Sequence, residues 1–245
     1  MILFTKGEGS HTVDFQKFPV KAGQIYFMVP GQVHSWEFEG DVDGFVLNFS
    51  PNLFQSFLLR PDYLSQFCFF RGIASDSVIQ LPEADATKAI KLFEEMLGIK
   101  FTSSPFSLDK LRVHLLQLFL LVQEKCTQAD NALAGHNLTV LNTFQKLVDE
   151  HHATLRLPKE YAEMLFITPN HLNALSKEML GKSAGEVIRD RVVLEVKRLL
   201  INLEIPVSEI AYQLNFSDNS YFTKFFKKQA GYTPEEFRKQ IFKQK

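Results

Sequence analysis

The sequence has 245 residues, a formal net charge of −1, 45% hydrophobic residues and 22% charged residues. This composition excludes a disordered chain and is typical of one large folded domain or two ordinary ones. From residue 137 onward, sixteen Lys and Arg stand against thirteen Asp and Glu, whereas the preceding part has an acidic excess of four. The asymmetry permits a nucleic-acid partner for the C-terminal part without requiring one.

Neither a membrane segment nor a targeting signal is apparent. No apolar run reaches the roughly 18 residues that a spanning helix needs, and no signal peptide opens the chain. The two cysteines, Cys68 and Cys126, have no metal-binding spacing and are expected to be free thiols. These features predict a cytoplasmic protein that does not contact a membrane.

Residues 1–50 predict an antiparallel sheet or small barrel. Short β-rich runs alternate with turn residues: ILFT, HTVDF, QIYFMV, VHSWEFEG and FVLNFS are separated at KGEGS and PGQ. The following stretch, residues 52–72, is rich in Phe and Leu and contains Pro61. We expect short helices there, packed under the sheet.

From Pro82 the hydrophobic period becomes helical, and two helices are predicted, the first ending at Gly98. The second, from about residue 107 to 124, has apolar residues on two sides. One side follows a heptad spacing and is a candidate dimerisation seam, formed by Leu108, Leu111, Leu115, Leu118 and Val122. The alternative is a helix simply buried within its own domain.

A small, polar stretch at residues 129–137 is predicted to link an N-terminal domain, 1–128, to an all-helical domain, 138–245. Within the second domain two segments repeat at about fifty residues. Each has a short helix with a small Ala, a tight turn, a capping residue, and a longer helix that ends at Gly. The caps are predicted at Thr168, followed by Pro169, and at Ser217. The repeat unit is a helix-turn-helix.

Two stretches, LGKSAGEVIRDRV and IPVSEIAYQLNFSDNSYFTKFFKKQAGYTPEEFR, resemble the DNA-binding domain of AraC/XylS-type transcription regulators, over about residues 140–240. The resemblance implies double-stranded promoter DNA as the partner, read by two recognition helices in successive major-groove segments. It also implies RNA polymerase as a further partner. The residues predicted to face DNA are Thr168, Asn170, His171, Asn173, Ala174 and Lys177 in the first helix, and Ser217, Asp218, Asn219, Tyr221, Thr223, Lys224, Lys227 and Lys228 in the second. The plain alternative for each is a solvated helix face.

The stretch GQIYFMVPGQVHSWEF resembles part of the cupin-like sensor and dimerisation module of the same family. His34 corresponds to a position that binds metal in cupin enzymes, but the chain has no HxH pair, so no metal or other cofactor is expected. His34 and Trp36 are candidate effector-pocket residues, with plain core packing as the alternative. Because Met1 falls inside a predicted strand, we expect this module to lack its first strands.

The predicted fold class is therefore α+β: a partial cupin-like barrel with two helices, then two helix-turn-helix units joined by a long helix. The leading hypothesis is a homodimeric transcription regulator that responds to an unknown small molecule and has no catalytic residues. The resemblance implies activation as the commoner outcome in the family, with repression as the alternative. One alternative is a DNA-binding dimer that ignores effectors. Another is a cupin-type metalloenzyme with a DNA-binding tail.

Overall fold

The computed structural model describes residues 1–60, 63–101, 104–130 and 135–243. It divides into two compact units, Met1–Ala132 and Leu133–Lys245. The first unit contains an antiparallel sheet with helices and the second is helical. The predicted α+β class is confirmed.

The sheet of the first unit is built around its longest paired strands. The strands are β1 (Ile2–Val13), β2 (Gln16–Pro19), β3 (Gln24–Tyr26), β4 (His34–Val46) and β5 (Val78–Gln80). Along its length β1 pairs with β4, while β2 and β3 pair with its two ends and β5 extends the sheet beyond β3, always antiparallel. This arrangement is a half-barrel that has β1 at its centre.

The KGEGS stretch is not the predicted turn, because β1 runs through it, and β4 likewise spans two predicted strands. Register shifts near Lys6 take up the extra residues as bulges. Gly9 permits the close approach of β4: its φ is +112°, and a Cβ there would lie 2.3 Å from the Glu37 carbonyl oxygen. Glycines in a strand can therefore mark a bulge as well as a turn. The tight hairpin lies at Asp14 and Phe15, both with positive φ.

The core of the first unit lies between the sheet, three short 3-10 helices and two α-helices. The 3-10 helices confirm the short helices expected near residues 52–72, and the helical elements are Pro51–Phe54, Leu64–Gln66, Cys68–Phe70, α1 (Glu83–Leu97) and α2 (Ser107–Asp130). Phe27, directly after β3, stacks on Phe69 with ring centroids 3.9 Å apart. Cys68 is disulfide-bonded, so the expectation of a free thiol is wrong for this residue. The side chain of Cys126 lies outside the described part.

The second unit consists of helices and short connections, with no strand among its described residues. Its helices are α3 (Gly135–His151), α4 (Pro158–Met164), α5 (Pro169–Leu180), α6 (Ala184–Leu200), α7 (Val207–Gln213), α8 (Asn219–Ala230) and α9 (Pro234–Lys243). Helices α3 to α5 pack on α6 to form one half, and α7 to α9 pack on it to form the other half. Helix α2 extends to Asp130 and α3 begins at Gly135, so the predicted linker at 129–137 includes residues of both helices. Its residues 131–134 lie outside the described residues. No helix in the described chain is long and apolar enough to cross a membrane.

Candidate functional site

The first helix-turn-helix pair is formed by α4 and α5, and its turn is fixed by backbone hydrogen bonds. Ile167 N–H donates to the Ala162 carbonyl (3.0 Å), and Phe166 N–H donates to the Glu163 carbonyl (3.1 Å). Phe166, between them, has a φ of +54°. Together these bonds form a Schellman motif, which ends α4 and redirects the chain into α5.

The second pair, α7 and α8, repeats the motif. Phe216 N–H donates to the Ala211 carbonyl (2.9 Å), Asn215 N–H donates to the Tyr212 carbonyl (2.9 Å), and Asn215 has a φ of +55°. Asn is one of the few residues other than Gly that tolerate this left-handed conformation well. Ala162 and Ala211 are both buried, as expected of the small residue that each short helix carries.

Each recognition helix begins at a side-chain cap. The Thr168 hydroxyl accepts from His171 N–H (3.2 Å), with Pro169 in the first turn as predicted. At α8 the Asp218 carboxylate accepts from Tyr221 N–H (2.8 Å). The predicted cap at Ser217 is wrong, because one more residue separates the turn from the cap in this unit. A carboxylate at this position also interacts favourably with the positive, N-terminal end of the helix dipole.

The inward faces of α5 and α8 are apolar and buried. Leu172 and Leu175 are buried in the core of the first half, and Phe222 and Phe226 are buried in the second. Phe225 is partly covered by Phe216, at 5.3 Å between ring centroids. The phenylalanines of α8 therefore anchor the helix in its core and do not offer stacking surfaces to nucleic-acid bases. Gly181 and Gly231 end the two helices with positive φ.

The outward faces carry the polar side chains predicted to face DNA. Nearly all of these residues are exposed: Thr168, Asn170, His171, Ala174, Lys177, Ser217, Asp218, Asn219, Tyr221, Lys224, Lys227 and Lys228. Thr223 is half-buried. Asn173 is also half-buried, and its Oδ1 accepts from Ala184 N–H (3.1 Å) at the beginning of α6. The carboxamide of Asn173 therefore holds two helices together, which its sequence position did not indicate.

Both ends of α6, the helix that joins the two helix-turn-helix pairs, are secured by hydrogen bonds. Ser183 and Glu186 form a capping box at its start, where Glu186 accepts from Ser183 N–H (2.7 Å). These bonds to Ser183 lower the pKa of Glu186. At its end Arg238 donates to the Leu200 carbonyl (3.1 Å) and the Asn202 carbonyl (3.0 Å).

A second candidate site lies on the half-barrel, where aromatic side chains of β4 share one face. His34, Trp36 and Phe38 alternate along the strand, and the Trp36 and Phe38 rings are nearly parallel with centroids 6.0 Å apart. His34 is exposed, and Trp36 and Phe38 are 45% and 44% exposed. The alternative of plain core packing for His34 and Trp36 is therefore wrong within this chain.

Beside these rings lies His11, which pairs directly with Trp36 across β1 and β4. It is fully buried, and neither ring nitrogen has a hydrogen-bond partner among the described residues. Its ring centroid lies 4.6 Å from Tyr26 and 5.4 Å from Trp36. Burial, with a smaller contribution from nearby His34, lowers the pKa of His11 to about 4. Sequence reasoning missed His11, although the alternation of β1 was the signal that could have found it.

The described residues contain no cluster of three or more His, Cys, Asp or Glu side chains that could hold a metal ion.

The candidate dimerisation seam on α2 is mostly its inner side. Leu115, Leu118 and Val122 are fully buried in the core of the first unit, Leu111 is half-buried, and Leu108 is 39% exposed. The buried three are not available to a second subunit. Other apolar side chains on this helix, Val113 and Leu120, are exposed instead.

Comparisons with known proteins match both units. A family model described as an AraC-like ligand binding domain matches residues 1–114, and a helix-turn-helix domain model matches residues 161–240. The arabinose operon regulatory protein of Salmonella typhimurium is 24% identical over 96% of this chain and 82% of its own length. The transcriptional activator RhaR of Yersinia pseudotuberculosis is 19% identical over 99% of this chain and 83% of its own.

Among solved structures, the C-terminal domain of AraT, a response regulator from Geobacillus stearothermophilus, is 25% identical. It matches 41% of this chain and 84% of its own, with a TM-score of 0.39.

Proposed function

The chain belongs to the AraC family of DNA-binding transcription regulators, and from this premise we propose that α5 and α8 read two successive segments of one promoter site. The observation that carries the proposal is the pair of capped helices, each with a buried inner face and a polar outer face, joined by α6. At 1.5 Å per residue, 17 residues of α6 span about 25 Å. This length suits two segments about one DNA turn apart, ~34 Å.

The outer side chains differ in the contacts that we expect them to make. Asn170 and Asn219 suit hydrogen bonds to adenine, and Lys224 suits guanine or phosphate. Lys227 and Lys228, in the last turns of α8, suit phosphate, which positions a protein on DNA without reading sequence. We omit Asn173 from the reading surface because its carboxamide oxygen is engaged with Ala184.

The test is selection of genomic DNA fragments by the purified full-length protein, followed by sequencing. We expect an enriched motif with two parts about one helical turn apart, bound with weaker affinity by an Asn219→Ala variant. An Asn202→Ala variant, altered at an exposed residue outside both recognition helices, is the control. Failure to enrich any motif would contradict sequence-specific binding by this surface.

For the first unit we propose an effector site on the aromatic face of β4, formed by His11, His34, Trp36 and Phe38. Its support is the combination of exposed rings with a buried imidazole whose nitrogens have no partner among the described residues. The pairing of apolar rings with a few polar atoms is typical of small-molecule sites.

Trp36 makes this proposal directly measurable, because it is the only tryptophan in the sequence. We expect an effector to change the tryptophan emission and to raise the melting temperature, and we expect His11→Phe to weaken both responses. Sugars, aromatic acids and peptides are the first compounds to screen. If no compound changes the emission while DNA binding persists, the effector-insensitive alternative is favoured.

We also propose that the protein is a homodimer that uses the exposed side of α2. Val113 and Leu120 lie seven residues apart, and Phe106, just before the helix, continues the same spacing. A Leu120→Glu variant should yield monomers in light-scattering measurements. Gln117→Glu, a charge added at an exposed position between them, shows how much charge alone contributes. A monomeric parent protein would contradict the proposal.

By analogy with RhaR, which is named an activator, we expect the bound protein to activate transcription by contacting RNA polymerase. A promoter–reporter assay with and without the intact gene tests the direction of regulation. A regulator of this kind acts on chromosomal DNA, which supports the predicted cytoplasmic location. We expect no catalytic activity.

A further inference from the structure

Arg156 belongs to the first half of the second unit but reaches the second half. It lies between α3 and α4, where its backbone N–H donates to Glu160 Oε2 (2.9 Å). This bond, together with that from Leu157 N–H to the same oxygen (2.7 Å), anchors the Arg156 backbone at the start of α4. The side chain of Arg156 extends from this half toward the second half.

The guanidinium of Arg156 is held by the turn of the second helix-turn-helix. Its Nη2 donates to the carbonyl of Leu214, the residue that ends α7. The guanidinium carbon lies 4.4 Å from the centroid of the Phe216 ring, in a cation–π contact. Phe216 in turn packs on Phe222 of α8, with centroids 5.0 Å apart. A chain of three contacts therefore runs from the start of α4 to recognition helix α8.

This chain of contacts supplements the connection through α6. The helices of both halves pack on α6, and a long helix joined to bodies at its two ends can still bend. A direct bond between the two halves restricts that bending. Arginine suits the task, because its planar group can stack on a ring and donate hydrogen bonds in the same plane. Burial lowers the pKa of Arg156, but an arginine remains charged.

We propose that Arg156 is a positioning residue that fixes α8 relative to α5 and so determines which separation of the two DNA segments the protein accepts. The proposal rests on the proposed reading of DNA by both helices. It gives Arg156 a role in specificity although it lies in neither recognition helix. The simpler possibility is that Arg156 only stabilises the fold.

The experiment compares three operators: the selected site, and the same site with one base pair inserted or deleted between its two segments. One base pair shifts a segment by about 3.4 Å and rotates it by about a tenth of a turn. For the parent protein we expect each altered spacing to lower affinity about tenfold or more, because one helix loses its base contacts. For Arg156→Ala the loss should shrink to about threefold or less, with weaker binding to the parent spacing.

Two further variants separate positioning from stability. Arg156→Lys keeps one donor for the Leu214 carbonyl but loses the planar stacking group, so we expect spacing discrimination between that of the parent and Arg156→Ala. Arg191→Ala is the matched control, because Arg191 bonds Asp149 (2.6 Å) and Glu195 (2.9 Å) within the first half and α6. It should lower the melting temperature and leave spacing discrimination at the parent value.

The outcomes distinguish the two proposals. If the parent selects no two-part site, the proposed function fails before Arg156 is tested. If the parent selects one and Arg156→Ala discriminates spacing as strongly as the parent, the positioning role is refuted. A parent insensitive to spacing would refute it as well. Should Arg156→Ala not fold, the Arg156→Lys result decides between positioning and a purely structural role.

Discussion

The two helix-turn-helix units share one backbone design but differ in almost every side chain. Both end the short helix in a Schellman motif over a buried alanine, and both end the recognition helix at a left-handed glycine. The core of the α4–α5 pair is filled mainly by Leu and Tyr, and that of the α7–α8 pair by Phe. On the outer face α5 has a single lysine, whereas α8 has three, at Lys224, Lys227 and Lys228.

The difference shows which features the motif requires. A turn, two caps and a small residue at the crossing are retained because backbone geometry demands them. The core and the outer face vary because several combinations fill the same volume or meet different DNA. We therefore expect the two units to respond differently to equivalent substitutions.

The largest difference is expected at a pair of equivalent core positions, Ser176 and Phe226, each five residues before the C-terminal glycine of its helix and fully buried. Phe226→Ala should cost about 3–5 kcal/mol of unfolding free energy, as Phe222→Ala should, because each leaves a cavity. Ser176→Ala should leave stability unchanged or raise it by about 1 kcal/mol. Its hydroxyl is buried without a hydrogen-bond partner among the described residues.

Amide hydrogen exchange of the full-length protein, read separately for α5 and α8, measures both effects. Phe225→Leu, at a half-buried position of α8, is the control for a smaller change in the same helix. An equal loss of protection at the two positions would mean that the two cores tolerate truncation alike.

The next difference concerns DNA binding and its dependence on salt. If the lysines of α8 contact phosphates, each one removed should reduce the slope of log affinity against log salt by about 0.9. Replacing Lys224, Lys227 and Lys228 by Gln together should thus reduce the slope by roughly 2–3. Asn170→Ala in α5 should instead lower affinity for the selected site by about 1–3 kcal/mol with an unchanged slope.

Titrations of the selected operator at several salt concentrations make this measurement. Lys239→Gln, at an exposed position on α9, controls for a loss of charge outside the recognition helices. An unchanged slope in the α8 triple variant would mean that these lysines do not contact phosphate. It would contradict our assignment of the side of α8 that faces DNA.

Local signals in the sequence were sufficient to predict most helix ends and turns of the helical unit, Leu133–Lys245. The Thr168 hydroxyl favours a helix cap, and Gly181, Gly231 and Asn215 are residue types that adopt the left-handed conformation readily. The cap at Asp218 was missed, and Ser217 was predicted instead, because the two residues are adjacent and both Ser and Asp can cap a helix. Choosing between them requires the length of the turn, which only the three-dimensional path fixes.

Predictions from the sequence failed where tertiary packing decides between two plausible environments for an element. The α2 helix is apolar on two sides, and periodicity cannot tell which one the sheet covers; the heptad of Leu115, Leu118 and Val122 faces the core. His11 was not predicted as a site residue, because a single histidine does not indicate a site until its cross-strand neighbour, Trp36, is known. Asn173 has the residue type and helix position of a DNA-reading residue, but its carboxamide oxygen accepts a hydrogen bond from the start of α6.

A smaller difference between the units lies in the turn residue itself. Phe166 has a left-handed backbone, which costs most residues about 1–2 kcal/mol, and its side chain is 95% exposed, so it gains little packing in return. Phe166→Asn should raise the unfolding free energy by about 1 kcal/mol. The reverse substitution, Asn215→Phe, should lower it by a similar amount.

Thermal melting and hydrogen exchange of the two variants check this exchange of turn residues. Tyr212→Gln, which removes an exposed aromatic side chain from a helical position of α7, should leave stability nearly unchanged. If Phe166→Asn were destabilising, the exposed ring would have to make a contact that favours the strained turn.

The smallest difference between the two halves is expected in their response to acid. The first half contains a largely covered histidine, His152, whereas α7 to α9 contain none, because the last histidine of the sequence is His171. His152 Nδ1 lies 2.9 Å from the Asp149 carbonyl oxygen, and its Nε2 lies 3.8 Å from Glu195 Oε2. Burial, with the nearby Arg191, lowers the pKa of His152 despite the opposing influence of Glu195 and Asp149.

A histidine whose pKa is lower in the folded state binds its proton more readily when unfolded. The contribution of His152 to stability is therefore complete above its ordinary value of about 6.5 and declines as the pH falls through the folded pKa. Hydrogen exchange at pH 7.5 and 5.5 should show weakened protection in α3 and α6 at the lower pH, and less change in α8. In His152→Gln, which keeps a polar side chain but cannot titrate, this difference between the halves should vanish. If it persisted, the acid response would belong to the ion pairs of Arg191 rather than to the imidazole.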